Sequence, residues 1–219
     1  MTDMKKGKRR YTIATRAAKA EATRARIKAS AIALYCEGPI EDFTLDEVAQ
    51  RAGVAVRTIL RAFPGKEALL YDALEELAKS GVPLKASRPG DVAAAVAAIF
   101  DVYETMGDLV MQRLNDERRH PGLKPLLDQG RENHRSWVKT IFAPCLARER
   151  GNERAQLLEA MVVATDVYAW KLLRRDRGLS RPAAEAVVRR MILGLAQQRE
   201  QSDGTDTLAE LVRRRQPAA

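Results

Sequence analysis

The chain has 219 residues, of which 46% are hydrophobic, and a formal net charge of +9. It is long enough to bury the cores of one small and one larger domain, and Cys36 and Cys145 match no metal-binding or redox spacing. No stretch has the apolar length of a membrane span, and the N-terminus lacks the apolar region of a secretion signal, so we expect a cytoplasmic protein with no membrane partner.

Most of the excess positive charge lies at the start of the chain. Residues 1–28 hold ten Lys or Arg and two acidic residues, which gives +8, whereas residues 29–79 sum to −4. Residues 1–22 have no apolar face that could be buried, which predicts a flexible basic arm. Their Ala and Arg content would also let the following helix extend backwards.

A first helix is predicted at residues 24–37, because apolar residues recur there at spacings of three and four. These residues are Ile27, Ala31, Leu34 and Tyr35. Gly38 and Pro39 are expected to stop this helix.

Residues 44–66 have the pattern of two short helices joined by a glycine turn. Thr44 and Glu47 have the spacing of a capping box, which predicts that a helix begins there. Gly53 suits the left-handed conformation that ends a helix, and the next helix carries Ile59 inward. This pattern describes a helix-turn-helix whose second helix can enter a major groove, or an ordinary helical hairpin.

Residues 24–74 resemble the N-terminal DNA-binding domain of the tetracycline-repressor (TetR) family. The matching positions are Ile27, Ala31, Leu34 to Gly38, Thr44 to Ala49, Arg51 to Val54, Thr58-Ile59, Phe63 to Glu67 and Leu69-Leu70. The chain departs from the family at Ala55, where a serine-like cap is usual, at Leu60, where tyrosine is usual, and at Ala62, where histidine or tyrosine is usual. The resemblance implies that two polar contacts to DNA phosphates are lost.

Several side chains are predicted to contact DNA. The outward face of the second helix carries Val56, Arg57, Thr58 and Arg61. Arg57 suits a bidentate guanine contact and Val56 a thymine methyl group. Thr44 and Lys66 are expected to hold phosphates, as the resemblance implies, although Lys66 also fits a solvated lysine. Arg9 and Arg10 of the arm would neutralise phosphates or enter a minor groove, unless the arm is a solvated tail.

The rest of the chain is predicted to form a second helical domain. Residues 80–90 contain two prolines and two glycines, which indicates a linker between a DNA-binding domain at 23–79 and a domain at 91–219. The predicted helices of that domain are 91–106, 108–119, 123–147, 153–177 and 182–200. No run alternates as a half-buried strand would. We therefore expect an all-α fold, with a three-helix helix-turn-helix domain joined to a helical ligand-binding and dimerisation bundle.

Two apolar stripes on the last long helices are predicted to form a dimer interface. Its residues would be Leu158, Met161, Val162, Leu172, Val188, Met191, Ile192 and Leu195. Two such helices from each subunit would pair as a four-helix bundle, which the resemblance also implies. The alternative is that the stripes pack within one subunit.

The resemblance also implies an effector pocket between the middle helices, where four of the eleven aromatic residues lie: Phe100, Tyr103, Trp137 and Phe142. The proposed lining is Phe100, Tyr103, Met106, Trp137, Ile141 and Trp170, with His134 and Asn133 as polar anchors. Each of these aromatic residues would equally suit a plain hydrophobic core. The identity of the effector does not follow from the sequence.

The chain contains no HExxH, GxSxG or phosphate-loop pattern, and its only histidines are His120 and His134. We therefore expect no enzyme activity, no metal and no cofactor. The sequence predicts a homodimeric, sequence-specific transcriptional regulator, most simply a repressor that binds a palindromic operator in double-stranded DNA and is released by a small molecule. The alternatives are a non-specific architectural nucleic-acid-binding protein that uses the basic arm, and a ligand-binding or scaffold protein that no longer binds DNA.

Overall fold

The computed structural model describes the backbone of residues 3–80 and 87–197, and the side chains of residues 15–79 and 87–197. All regular secondary structure in these ranges is helical, as predicted. The helices are α1 (Asp3–Glu37), α2 (Leu45–Ala52), α3 (Val56–Ala62), α4 (Lys66–Ser80), α5 (Val92–Asp116), α6 (Lys124–Ile141), α7 (Ala143–Leu146), α8 (Gly151–Ala164), α9 (Val167–Lys171) and α10 (Arg181–Gln197). Short 3₁₀ helices occur at Ile40–Asp42 and Pro121–Leu123, and a π-helical segment at Leu172–Asp176.

The described residues form two compact units. The first, called the head, consists of residues 3–80 and 109–130, and the second unit consists of residues 87–108 and 131–197. The sequence-based boundary assigned everything after residue 91 to the second domain. It therefore missed residues 109–130, whose contacts are with the head.

The head is built around an apolar core to which α1, α2, α3 and α4 all contribute. Ile27, Val48, Ile59 and Leu69, one from each of these helices, are at most 1% exposed. Leu123, which follows α5 in the chain, is fully buried in the same cluster. Burial of this kind supplies most of the stability of short helices, which are marginal in isolation.

Polar contacts explain why residues 109–130 belong to the head. Tyr35 at the end of α1 donates its hydroxyl hydrogen to Asp116 Oδ2 at 2.9 Å. The amide nitrogen of Gln112 donates to the carbonyl oxygens of Tyr35 and Gly38, the latter at 2.6 Å. The imidazole of His120 lies 3.0 Å from Glu41 Oε1. None of these contacts follows from spacing in the sequence.

The helix α1 begins much earlier than predicted. It starts at Asp3, whereas the sequence indicated a flexible arm over residues 1–22 and a helix from residue 24. Alanine, lysine and arginine are strong helix formers, so this stretch continues the helix even though the side chains at residues 15–22 are exposed. The basic arm is therefore a helical extension from Asp3 onward.

The second unit departs from the prediction at two helix ends. Gly107 was expected to separate two helices but lies inside α5, where a Cβ would come within 2.5 Å of the Trp170 ring. The absence of a side chain at Gly107 thus leaves room for the Trp170 ring. Conversely, the helix predicted at 153–177 ends at Ala164, and Asp166 caps a new helix by accepting a hydrogen bond from the Tyr168 amide.

None of the helices in the described ranges combines the length and the apolar character needed to cross a membrane.

Candidate nucleic-acid interface

The turn between α2 and α3 is set by a cap and a glycine, as predicted. Thr44 and Glu47 form the capping box: the Thr44 amide donates to Glu47 Oε2 at 2.7 Å and the Glu47 amide donates to Thr44 Oγ1 at 3.2 Å. These hydrogen bonds lower the pKa of the Glu47 carboxyl. Gly53 ends α2 with φ of 66°, a conformation that a Cβ would disfavour.

The helix α3 presents a basic outer face. Ile59 is fully buried, whereas Arg57 and Arg61 are exposed on the opposite side and Thr58 is half-exposed. Ala55 precedes the helix without a side-chain cap, so α3 is held mainly by what it buries.

The predicted base-contacting role of Val56 is not supported by its position. Val56 is half-buried and packs against the head core. Leu60, which the sequence analysis treated as a lost phosphate contact, is 52% exposed. The apolar side chain on the outer face of α3 is therefore Leu60.

Lys66 is committed within the head and does not present its ammonium group to a phosphate. Its Nζ donates to the carbonyl oxygens of Ile40 at 2.5 Å and Phe43 at 2.8 Å, and it lies 5.0 Å from the centre of the Phe43 ring. Lys66 thus links the start of α4 to the 3₁₀ helix at Ile40–Asp42 and to Phe43, which follows it. The sequence could not show this because the two acceptors are backbone oxygens more than twenty residues away.

The helix α1 passes beside the C-terminal end of α3. The Arg24 guanidinium lies over the Phe63 ring, 4.3 Å from its centre, and bonds Asp72 at 3.2 Å. N-terminal to this contact, Arg16 and Lys19 are exposed, and neither makes a salt bridge with a described residue. Exposed basic side chains therefore continue along α1 from the contact of Arg24 with Phe63.

Arg26 adds a third exposed basic group to the same side of α1. Arg16, Lys19 and Arg26 fall within about 80° of one another around the helix, given about 100° per residue. Arg9 and Arg10 belong to the part of α1 whose side chains lie outside the described residues. The surface formed by Arg16, Lys19 and Arg26 is called the basic flank below.

Comparison with known proteins identifies the head. Residues 27–73 match the family model described as bacterial regulatory proteins, tetR family. The match covers 47 of the 219 residues and assigns this segment of the head to the TetR type. The matched segment contains α2, α3 and the turn between them, which is the helix-turn-helix described above.

Two solved structures resemble this chain. One is a transcriptional regulator from Rhodococcus sp. Rha1, with 17% identity and a TM-score of 0.60 over 80% of this chain and 96% of that chain. The other is a TetR transcriptional regulator from Rhodococcus sp. RHA1, with 21% identity and a TM-score of 0.47 over 81% and 96% of the two chains. At this identity, the first shows the shared fold. No curated protein matches the chain significantly.

The second unit contains the residues proposed to line an effector pocket. Trp170 is 1% exposed, and its indole N–H donates to Glu104 Oε1 at 3.0 Å. The Arg175 guanidinium lies 4.5 Å from the centre of the Trp170 ring, and the ring packs against Gly107. Trp170 is thus enclosed by its own unit and does not have the position predicted for a lining residue.

The other proposed lining residues fall into two groups. Phe100 and Ile141 are core residues, 2% and 4% exposed, while Met106 and Trp137 are half-buried. Tyr103 and His134 come together at a residue that the sequence analysis missed, Thr165. The Tyr103 hydroxyl donates to the Thr165 carbonyl oxygen at 3.1 Å, and His134 Nε2 lies 3.0 Å from Thr165 Oγ1.

We call Tyr103, His134, Thr165 and Asp166 the polar cluster of the second unit. Burial lowers the pKa of His134, although its Nδ1 lies 3.9 Å from Asp166 Oδ2. His134 therefore favours the neutral form, which can accept or donate a hydrogen bond at either ring nitrogen. The signal for Thr165 in the sequence was a single hydroxyl within the apolar stripe of the predicted 153–177 helix.

The predicted dimer residues divide between core and surface. Met161, Val188 and Ile192 are at most 1% exposed within one subunit, so they belong to its core and the interface prediction is wrong for them. Leu172 and Met191 are exposed, while Leu158, Val162 and Leu195 are half-buried. The predicted 153–177 helix is interrupted after Ala164, and each apolar stripe contains both core residues and exposed ones.

Four more apolar residues of the second unit are exposed, although the predicted dimer interface did not include them. They lie close in sequence to the predicted residues. They are Val163, Tyr168, Val187 and Leu193. Val163, Tyr168 and Val187 together with Leu172 and Met191 are called the apolar surface of the second unit. Leu193 is left out of it because it lies about 160° around α10 from Met191, given about 100° per residue. Within the described residues, no group of three or more His, Cys, Asp or Glu side chains could hold a metal ion.

Proposed function

We propose that this TetR-family protein is a sequence-specific, dimeric transcriptional repressor that a small molecule releases from its operator. The observation that supports the proposal most directly is the outer face of α3, where Arg57 and Arg61 are exposed and uncommitted on a helix that its buried face holds in place. An arginine on such a helix can donate two hydrogen bonds to one guanine in the major groove.

The basic flank would add affinity that does not depend on sequence. Arg16, Lys19 and Arg26 lie on the helix that passes the C-terminal end of α3, so DNA held by α3 would have phosphates near them. Phosphate contacts release counterions and make the affinity fall with salt. They replace the contact that Lys66 was predicted to supply.

The apolar surface of the second unit supports dimerisation. Val163, Tyr168, Leu172, Val187 and Met191 are between 38% and 66% exposed. A soluble monomer gains stability by covering such residues, and a twofold axis lets one surface cover its own copy. Two heads on one dimer would then bind a palindromic operator.

The polar cluster is the site where we expect an effector to act. It combines a phenol, an imidazole and a hydroxyl with the aromatic ring of Trp137, which stacks on His134, a composition that suits a mostly apolar ligand with one or two polar groups. The ligand must bind the conformation that cannot hold the operator more tightly, since equal affinity for both would shift nothing.

The decisive test is a selection of random duplex DNA on the purified protein at about 150 mM salt, close to physiological ionic strength. The wild type should recover a palindromic consensus. Arg57→Ala should lose preference at one position in each half-site, by about 1–3 kcal/mol, because a bidentate contact supplies discrimination of that size. A wild-type selection that enriches no sequence would reject the proposal.

A matched variant tests the basic flank without altering the helix. The substitutions Arg16→Gln, Lys19→Gln and Arg26→Gln remove three charges and keep good helix formers in α1. This triple variant should recover the same consensus as the wild type, with weaker binding. Because each dimer would lose six charges, the slope of log affinity against log salt should be smaller by about 5.

A second candidate function is a non-specific, architectural DNA-binding protein. The observation in its favour is that α3 has Leu60 and Ala62 exposed where polar side chains would contact phosphates, while the basic flank is uncommitted. Under this alternative the wild type would enrich no consensus, and the triple variant would lose nearly all of its binding. The same two proteins in one selection therefore distinguish the functions.

A further inference from the structure

We infer that Leu60 contacts the 5-methyl group of a thymine in the operator and selects thymine at one position of each half-site. The inference rests on the proposed function, because it needs an operator. It assigns a role to a side chain at which the sequence analysis expected only the loss of a phosphate contact.

Leu60 is the one large hydrophobic side chain that is exposed among the described residues of the head. Its exposure is 52%, whereas the adjacent Ile59 is fully buried. The other exposed large hydrophobic residues of the described chain all belong to the second unit. The exposed leucine of the head thus lies on α3, the helix proposed to enter the groove.

The core prevents Leu60 from turning inward. Ile59 and Phe63 are 0% and 3% exposed and fix which side of α3 faces the head. Successive side chains on a helix are about 100° apart, so burying Leu60 would rotate Ile59 out of the core. The leucine can be covered only by something that approaches the outer face of the helix.

Charge indicates that this partner is DNA. Leu60 follows Arg57 by three residues and directly precedes Arg61, and both arginines are exposed. A protein surface that covered Leu60 would desolvate two guanidinium groups for which the described part of the head supplies no carboxylate. A DNA duplex supplies phosphates and guanine edges for the arginines, and in its major groove the thymine methyl is the one apolar group available to a leucine.

The position of Val56 makes the assignment specific to Leu60. Val56 was the residue predicted to contact a thymine methyl, but it is half-buried against the head core. The two residues are four apart and neighbours on the helix surface, with Leu60 the one that extends outward. Val56→Ala is therefore the matched control for Leu60→Ala, because both shorten an aliphatic side chain at adjacent positions.

The test uses the operator recovered by the full-length wild-type protein. Each thymine of one half-site is replaced in turn by deoxyuridine, which removes the methyl group and leaves base pairing intact. At one position we expect the wild-type Kd to rise about fourfold, the value of one buried methyl-sized group. Replacing the symmetric thymines of both half-sites together should raise it about fifteenfold.

Leu60→Ala should bind the thymine and uridine duplexes equally, while Val56→Ala and Leu60→Met should keep the fourfold difference. Leu60→Ala should also melt at the same temperature as the wild type, because its side chain is on the surface. Should Leu60→Ala not fold, the thymine and uridine series on the wild type and on Leu60→Met still decides the question.

Three results would overturn the inference. The first is a half-site consensus without thymine, the second is a wild type that tolerates every uridine equally, and the third is a Leu60→Ala variant that keeps the uridine penalty. In all three the protein still recovers an operator, so the proposed function would stand. A wild type that recovers no operator would reject the proposed function, and the inference with it.

Discussion

The outer face of α3 and the surroundings of Trp170 use similar side chains in opposite ways. In the head, Arg57 and Arg61 are exposed and have no acidic partner among the described residues. In the second unit, Arg174 bonds Glu104 at 2.5 Å and Arg175 bonds Asp108 at 2.8 Å. The first set is available to an external partner, whereas the second is already used to hold its own unit together.

This difference shows that the type of a side chain does not decide whether it is available to an external partner. The sequence marks the arginines of α3 and Trp170 of the second unit as candidate binding residues, yet only non-local contacts decide whether such a side chain is committed. Variants that remove a committed side chain should lower stability, and variants that remove an available one should lower binding alone. The following predictions test that distinction, from the largest expected effect to the smallest.

Glu104→Gln should cause the largest loss of stability among the substitutions of polar side chains. Hydrogen bonds from Arg174 and Trp170 lower the pKa of the Glu104 carboxyl from 4.5 to about 2. A carboxylate with a lowered folded-state pKa adds stability above its unfolded pKa and loses it as the pH falls through the folded value. We expect urea unfolding at pH 7 to show a loss of about 3 kcal/mol.

The same variant has a defined pH dependence and a control. The difference between wild type and Glu104→Gln should shrink below about pH 4.5 and reach about 1 kcal/mol at pH 3. Asp108→Asn removes the carboxylate of a neighbouring but exposed ion pair and should cost less than about 1 kcal/mol. Equal losses for the two variants would mean that Glu104 is no more committed than a surface residue.

Two glycines offer a comparison between the units. Gly107→Ala places a Cβ 2.5 Å from the Trp170 ring, and the resulting overpacking should cost about 1–3 kcal/mol in thermal unfolding. Gly130 lies in α6 with no atom within 4 Å of the added Cβ, so Gly130→Ala should stabilise the protein by up to about 1 kcal/mol. If Gly107→Ala were also stabilising, the packing of Trp170 against this glycine would not be tight.

Local signals in the sequence were enough to predict the helix-turn-helix. The capping box at Thr44 and Glu47 and the left-handed Gly53 depend on residues within one or two turns of each other, and the structure confirms both. The inward position of Ile59 follows from the same periodicity. The all-α fold was predicted in the same way, from helical periodicity and the absence of alternating runs.

The errors occurred where distant residues decide the outcome. Lys66 had the sequence context of a phosphate contact but bonds the carbonyl oxygens of Ile40 and Phe43. Gly107 had the context of a helix end but serves the packing of Trp170. The apolar stripes of the last helices were wide, so periodicity alone could not tell which half faces the core of one subunit.

Tyr35→Phe tests a committed contact inside the head. The Tyr35 hydroxyl donates to Asp116 Oδ2, and Asp116 is 2% exposed. Losing that donor leaves a buried carboxylate short of one hydrogen bond, which should cost about 1–2 kcal/mol. Tyr168→Phe removes a hydroxyl from a side chain that is 55% exposed, and its unfolding should match the wild type within about 0.5 kcal/mol.

If Tyr35→Phe were neutral, the hydroxyl would not be what holds residues 109–130 to the head. The apolar contacts of Leu123 and Leu127 would then carry that role. Leu127→Ala, which removes a side chain that is 6% exposed, should in either case cost about 2–5 kcal/mol.

Thr44→Ala has the smallest expected effect and combines both kinds of role. The Thr44 hydroxyl accepts the Glu47 amide and lies 2.9 Å from Glu47 Oε2, so removing it should cost about 1 kcal/mol of stability. The side chain is also exposed at the start of α2, where the resemblance to the TetR family suggests a phosphate contact. Loss of such a contact weakens binding to all sequences equally.

Thr44→Ser, which keeps the hydroxyl, should behave as the wild type in both thermal unfolding and operator binding. If Thr44→Ala lowers the melting temperature but leaves operator affinity unchanged, the hydroxyl is only a helix cap. If it changes which sequences the protein prefers, the residue contacts a base, and the division between positioning by α2 and base selection by α3 would be wrong. The division would be supported if Thr44→Ala weakens binding to all sequences equally while Arg57→Ala alters the consensus.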